Sequence, residues 1–345
     1  MPERAQSKAE DGALLRIDGL SVSVSQQPGM LVLDDVSFTI GRGESVALVG
    51  ESGSGKSTVA LAVLDLLPAP LALSSGTITF AGAPIVRPGH AIPQGVRGKR
   101  IGIVFQDPLD ALNPTMRVGE QVAETLTEGA GMSSRQARAR TVELLAEVGI
   151  PQPRDKLRVY PHELSGGQRQ RVMIAIALAL EPDLLIADEP TTALDVTIQR
   201  QVIDLLLRLR EARQMAMLFI SHDLPLVAEV ASRVVVLYGG RVMESGSVRD
   251  VYEHPASPYT TGLIAASTSF DEAHLVVGRP IRGSAPSPAE VIPGCRFHPR
   301  CERAEEVCVL ERPMPRLLPA SRFGERHEAA CHFAGMPDRK EAHGA

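Results

Sequence analysis

The run ESVALVGESGSGKSTVALAVLDLLP, residues 44–68, sets the tightest limit on how this chain can fold. Five apolar or small residues predict a strand, and the spacing of Val59, Ala60, Val63, Leu64 and Leu67 predicts a helix from Ser57 to Leu67, stopped by Pro68 and Pro70. Between them lies G-x-x-x-x-G-K-[ST], a pattern whose glycines let consecutive backbone N–H groups turn inward as an anion nest. The helix that follows adds the positive end of its dipole. Gly50, Glu51, Ser52, Gly53, Ser54, Gly55, Lys56, Ser57 and Thr58 are therefore the expected phosphate site. Lys56 is expected at the β- and γ-phosphates and Ser57 on Mg²⁺. A glycine turn that binds nothing is the plain alternative, and the strand before and helix after argue against it.

A second apolar strand, LLIADEP at residues 184–190, delivers two carboxylates. Alone they are an ordinary solvated strand end. With a phosphate loop upstream, Asp188 becomes the candidate to hold Mg²⁺ through water, and Glu189 the candidate general base for an attacking water.

The rest of the chain fits an α/β class with a mostly parallel sheet. LLRIDGLSVSV and SFTIGRGESVALVG read as antiparallel strands opening the domain. Helical periodicity dominates from Val118 to Gly149, with Ser133 a candidate N-cap for RQARARTVELLAEVG. The strand-like DLLIAD and AMLFIS then alternate with the helix-like TIQRQVIDLLLRLREA, the rhythm of a sheet covered on both faces. The expected boundaries are an irregular start at 1–13, a nucleotide-binding core at 14–254 with a helical subdomain at about 107–180, a small tail domain at 255–335, and a flexible end at 336–345. The tail is Pro-rich and weakly periodic, so a large core of its own is not expected and it needs a staple.

Lys and Arg number 36 against 41 Asp and Glu, a net of −5, so nothing in the balance favours nucleic acid. The start, MPERAQSKAEDGA, carries no apolar signal region, and no apolar run approaches the ~18 residues that span a bilayer, which predicts a cytoplasmic chain. All four cysteines, Cys295, Cys301, Cys308 and Cys331, fall in the tail with spacing C-x5-C-x6-C-x22-C. In a reducing compartment such a group points to metal or a cluster before disulfides. Zinc sites usually show C-x2-4-C pairs, which are missing, and wider spacing suits a larger cluster.

LSGGQRQRV, residues 164–172, resembles the signature motif of the ATP-binding cassette (ABC) ATPases. In that motif Ser165, Gly166, Gly167 and Gln168 open a helix whose N-terminus faces a γ-phosphate on the opposing subunit. The resemblance continues in order: Gln106 in IVFQDP is similar to the Q-loop glutamine, which also ligates Mg²⁺, Asp195 in TTALD to the D-loop, and His222 in ISHD to the switch histidine that contacts the γ-phosphate. It implies a P-loop NTPase of ABC type with an antiparallel β subdomain, a helical subdomain and catalytic roles for Glu189, His222 and Gln106. One departure stands out: where the family places an adenine-stacking aromatic in strand 1, this chain has Val24.

FQDPLDALNP and ADEPTTALDVTIQ resemble ATPase subunits of dipeptide and oligopeptide importers. EHPASPYTTGLIAA and PSPAEVIPGCRFHPRC resemble their C-terminal His-Pro-Tyr appendage, so the likeness covers roughly residues 14–333. It implies an ATP-hydrolysing motor on the cytoplasmic face of the membrane, with a second ATPase subunit that is related but not identical, two permeases and an external peptide-binding protein as partners. A nickel-chelate or glutathione importer, and a soluble ABC ATPase without permease, remain the alternatives. It also implies one [4Fe–4S] cluster on Cys295, Cys301, Cys308 and Cys331, with zinc and free structural thiols the competitors.

Overall fold

Val46, Ala47, Leu48 and Val49 are all buried, yet they serve two different cores. Successive side chains of a strand point to opposite faces, so a strand covered on both sides reads as an unbroken apolar run. The computed structural model describes residues 12–192, 194–267, 269–271, 274–276, 279–319 and 326–336. Of the two ends expected to be irregular, residues 1–11 and 337–345 lie outside the described residues, and Ala13 already belongs to the first strand.

Two sheets sandwich one of these cores. Strands β1 (Ala13–Val24), β2 (Gln27–Gly41), β4 (Leu71–Phe80) and β5 (Ala83–Val86) form an antiparallel sheet in the order β2-β1-β4-β5. The larger sheet holds β3 (Ser45–Val49), β6 (Ile101–Val104), β7 (Leu184–Asp188), β8 (Ala216–Ser221), β9 (Arg233–Tyr238), β10 (Arg241–Ser247), β13 (Arg316–Leu317) and β14 (Glu328–Ala329), in the order β13-β14-β10-β9-β3-β8-β7-β6. A separate hairpin joins β11 (Ser269–Asp271) to β12 (His274–Val276). Val46, Leu48, Leu184, Ile186, Leu218 and Ile220 pack toward the antiparallel sheet and helix α1 (Lys56–Val63). Ala47, Leu185, Ala187, Met217 and Phe219 face the other side.

That other side is helical. Helices α2 (Pro108–Ala111), α3 (Val118–Ala130), α4 (Ser134–Glu147), α5 (Pro153–Lys156) and α6 (Gly166–Leu178) intervene between β6 and β7. Then α7 (Val196–Arg213), α8 (Leu224–Val230), α9 (Val248–Glu253), α10 (Pro258–Ala266) and α11 (Glu306–Leu310) follow in the C-terminal half. Ser133 caps α4, accepting from the Gln136 N–H while Gln136 reaches back, a reciprocal capping box. Among the described residues no helix is long and apolar enough to cross a membrane.

Helix α1 ends at Val63, four residues earlier than periodicity predicts. Arg97 explains the stop: its Nε donates to the Leu64 carbonyl at 2.9 Å and its Nη2 to the Asp65 carbonyl at 3.1 Å. Those carbonyls are satisfied without another turn, and Asp65 adopts a left-handed φ of 53°.

The tail is less separate than its composition predicts. Strand β14 pairs antiparallel with β10 (Glu244↔Ala329), so the tail lengthens the main sheet. The Glu244 side chain is fully buried and accepts from the Ala256 and Ser257 N–H groups at 2.7 and 2.9 Å, with His327 Nε2 at 2.8 Å. Asp34 of β2 gathers Arg241, Arg296 and Arg312, the last two from the tail. Phe297 packs edge-on against Tyr238 and tilted against Tyr259, each at 5.2 Å between ring centres. The tail thus uses the core as its hydrophobic support, which is why its own apolar periodicity is weak.

Candidate active site

The parallel strands deliver their functional residues at one edge. Register aligns Val49 with Ser221 and Asp188 with Ile220, so Gly50, Glu189 and His222 each leave the sheet where its neighbours do. Ligands of open α/β sheets bind at such carboxyl ends.

The phosphate loop is held by contacts that only glycine allows. A Cβ on Gly50 would lie 2.1 Å from the Leu237 carbonyl oxygen, and one on Gly55, at φ 102°, would lie 2.6 Å from Leu33 Cδ2. Lys56 is nearly buried, and its Nζ donates to the Gly50 carbonyl at 2.9 Å and the Glu51 carbonyl at 3.1 Å. Burial pulls its pKa down, while Glu189, Asp188 and Glu51 oppose that shift. Ser57 Oγ donates to Asp188 Oδ1 at 3.1 Å. Burial raises the Asp188 pKa against the Ser57 hydrogen bond, so a charged carboxylate is held there at a cost that a bound cation would offset. Hydroxyl and carboxylate oxygens side by side are a donor set suited to Mg²⁺.

Glu189 is the hub. Oε1 lies 3.2 Å from His222 Nδ1 and 4.0 Å from Lys56 Nζ. Oε2 accepts from Gln106 Nε2 at 3.3 Å and from Thr192 Oγ1 at 3.1 Å. Its backbone sits at φ 44°, left-handed for a residue with a Cβ, a strain of about 1–3 kcal/mol that persists where surrounding structure imposes it. The N–H of Glu189 donates to Ile220 O at 3.0 Å, which ties this turn to β8. Gln106, expected on Mg²⁺, thus meets Glu189 rather than the Ser57–Asp188 pair.

The signature residues stand apart. Ser165 is exposed and caps α6 by accepting from Gln168 N–H at 3.3 Å, with the Gln168 side chain accepting in return from Ser165 N–H at 3.3 Å. Gly166 and Gly167 form the first turn, and a Cβ at Gly167 would meet Ile198 Cγ2 at 2.6 Å. Asp195 caps α7, accepting from Ile198 N–H at 3.0 Å. Among the described residues no hydrogen bond or ion pair joins residues 165–168 or Asp195 to the Lys56–Glu189 group. Val24, half-buried at the end of β1 opposite Gln27, presents no ring.

Two partners of the phosphate loop escaped sequence reasoning. The Glu51 N–H donates to Tyr259 Oη at 3.0 Å, and its carboxylate is gripped by Arg300 at 2.6 and 3.0 Å. The available signal was chemical: an acid inside an anion-binding loop requires a counter-ion.

The four cysteines are not paired as disulfides. The Cys295 N–H donates to the Cys308 carbonyl at 2.8 Å. Burial raises all three shifted thiols, Cys295 to about 11 and Cys301 and Cys331 in the same direction. Each is opposed by a backbone N–H two residues on, from Phe297, Arg303 and Phe333 respectively. Cys295 is also raised by Cys308, Cys331 and Cys301, so the four sulfurs lie within electrostatic reach of one another. Among the described residues no three His, Cys, Asp or Glu side chains close to the spacing of a single metal ion.

Known proteins resemble this chain over most of its length. A family profile described as ABC transporter matches residues 33–192, and one described as oligopeptide/dipeptide transporter, C-terminal region, matches residues 243–308. A peptide import ATP-binding protein of Brucella melitensis is 44% identical over 302 residues, covering 87% of this chain and 91% of the relative. The dipeptide transport ATP-binding protein DppD of Escherichia coli is 40% identical over 332 residues, covering 94% and 99%. Among solved structures, cbiO1 of Clostridium perfringens, part of the ABC transporter complex cbiONQ, is 30% identical with a TM-score of 0.59 over 70% of this chain and 92% of its own. The ATP-binding cassette MJ0796, a dimer in a post-hydrolysis state with ADP and Pi, is 27% identical with a TM-score of 0.59 over 68% and 99%.

Proposed function

The chain belongs to the ABC transporter family, among the ATPases that carry the oligopeptide/dipeptide transporter C-terminal region, and from that premise we propose that it powers an importer of di- or oligopeptides. The observation that carries the catalytic half is the single carboxylate of Glu189, which meets Gln106, Thr192 and His222 and lies 4.0 Å from Lys56. The cargo rests on the relatives named for peptide import and dipeptide transport.

Glu189 takes the proton of the attacking water, the water oxygen bonds to the γ-phosphorus, and the β–γ bridge breaks to leave ADP and phosphate. The proton then passes to solvent. Lys56, held by the loop's own carbonyls, is the cation placed for the β- and γ-phosphates. Gln106, Thr192 and His222 hold the Glu189 carboxylate in one orientation, which fixes where the water must sit. Ser57 and Asp188 are the residues that would hold Mg²⁺, which supplies charge neutralisation at the transferring phosphoryl group.

Ser165 and its helix N-terminus have no phosphate within their own chain to serve, so the working site takes its signature residues Ser165–Gly166–Gly167 from a second ATPase subunit, related and not identical. Nucleotide sandwiched between two subunits draws them together and hydrolysis releases them. Two permeases, docked near Gln106 and the helices that follow, convert that closure into transport at the cytoplasmic face of the membrane, fed by an external binding protein. Residues 14–254 form the nucleotide-binding unit, with 107–180 its helical part and 255–335 the appendage.

The four cysteines suit one [4Fe–4S] cluster. The reading rests on their grouping: Cys295, Cys301, Cys308 and Cys331 act electrostatically on one another, and four thiolates are the ligand set of such a cluster, whose binding would have to overcome the burial that favours the neutral thiols. Such a cluster cross-links a tail with little core of its own. The composite-site reading is tested by ATP turnover: the isolated chain should be a feeble ATPase whose rate rises on assembly with its partner ATPase and permeases. Full activity of the lone chain, independent of its concentration, overturns it.

A further inference from the structure

Glu51 belongs to the phosphate loop, its backbone carbonyl accepts from Lys56 Nζ at 3.1 Å, and its charge acts on Lys56 together with those of Glu189 and Asp188. Asp188 is placed for Mg²⁺ and Glu189 for the attacking water, but Glu51 has no chemistry to perform and its charge opposes an incoming anion. Its neutralisation comes from 249 residues away. Arg300 Nη1 and Nη2 grip Glu51 Oε2 and Oε1 at 2.6 and 3.0 Å, a two-pronged pair with the arginine side chain only 6% exposed. The remaining N–H groups are pinned by the carbonyls of Arg282 (2.8 Å), Gly283 (3.3 Å) and Ile281 (3.4 Å), and the Tyr238 hydroxyl lies 3.3 Å away. The side chain is therefore built to stay on Glu51. It leaves the 3-10 turn His298–Arg300, which is closed at one end by the His298 N–H on the Cys295 carbonyl and at the other by Cys301.

We propose that Arg300 is the counter-charge of the phosphate loop, so that the cysteine-bearing tail is part of the nucleotide site and sets its affinity for ATP. The inference rests on the nucleotide-binding reading of the loop and adds to it a positioning residue that touches Glu51, not the nucleotide. The competing role is mere fastening, with Arg300 holding the tail to the core. The two differ in one respect: if the charge of Glu51 is what matters, removing that charge must repair the loss of Arg300.

The test measures binding of a fluorescent ATP analogue with Mg²⁺ to the purified full chain, alongside melting by circular dichroism. Arg300→Met should raise Kd about tenfold, the scale of one uncompensated charge near a partly buried anion site. The double variant Arg300→Met/Glu51→Gln should recover most of that loss. Should Arg300→Met fail to fold, Arg300→Gln, which keeps hydrogen-bonding capacity and lacks charge, should show the same loss and the same recovery. A wild-type Kd in a folded Arg300 variant, or a double variant as weak as the single, overturns the proposal while leaving nucleotide binding intact. A wild-type chain that binds no nucleotide overturns the underlying reading as well.

Discussion

Glu189 Oε1 and His222 Nδ1 lie 3.2 Å apart, although 33 residues separate them in the chain. They meet because β7 and β8 are parallel neighbours in register, Asp188 opposite Ile220, and each strand releases its next residues at the same sheet edge. The same carboxylate has Gln106 and Thr192 on its other oxygen, so each oxygen is oriented by at least one neighbour while Oε1, with His222 alone at hydrogen-bond distance, keeps a lone pair open. An imidazole, an amide and a hydroxyl around one acid leave it a defined direction in which to accept a proton.

Replacing that acid by its amide tests the assignment. Glu189→Gln keeps the shape and cannot take a proton, so the assembled complex should bind MgATP and hydrolyse it at least ~100-fold more slowly. Single-turnover hydrolysis with labelled ATP is the measurement, and a wild-type rate removes Glu189 from its role.

Asp188 gives a prediction in stability. Burial holds its folded pKa above the unfolded value, so its stabilising contribution is complete at low pH and is lost as pH rises through the folded pKa. At neutral pH the charged carboxylate is therefore a cost to the ligand-free protein. Asp188→Asn should raise the melting temperature of the ligand-free chain at pH 7 by a few degrees, with the gain shrinking as pH falls toward about 4. It should also lose the extra stabilisation that MgATP gives the wild type. A variant that melts lower at pH 7 and higher toward pH 4 would reverse the sign and sink the argument.

Local chemistry makes much of this site legible in the sequence. The glycine pattern at Gly50 and Gly55, the strand ending at Asp188 and the cap at Ser133 each depend on neighbours within a few residues, and each lies where its pattern predicts. The early stop of α1 was not legible, because the arginine that caps it lies more than thirty residues downstream. Neither was the grip of Arg300 on Glu51, nor the tail strand at Glu328–Ala329, too short to carry a period and paired only because β10 offers an open edge. Thr192 is illegible for a different reason: a hydroxyl three residues after an acid is common in turns, and the left-handed backbone at Glu189 accompanies its approach to the carboxylate. Val24 shows the reverse case, since the missing ring is plain in the sequence: residues 24–30 of the β1–β2 hairpin, VSQQPGM, hold no aromatic side chain.

The cysteines yield the last prediction. Cys301 directly follows Arg300 and ends the turn that begins at Cys295, so the proposed cluster on the four sulfurs would also help hold Arg300 against the phosphate loop. Chain prepared without oxygen should be brown and contain iron and acid-labile sulfide at roughly 4 each. Cys301→Ser should lose the colour and the sulfide, remain folded through the two-sheet core, and bind ATP more weakly than wild type because the turn carrying Arg300 is loosened. Metal analysis, sulfide assay and nucleotide titration on the same preparation separate the possibilities. Stoichiometric zinc with no labile sulfide in the anaerobic wild-type chain would reject the cluster, and an unchanged nucleotide affinity in Cys301→Ser would show that the sulfurs and the phosphate loop act independently.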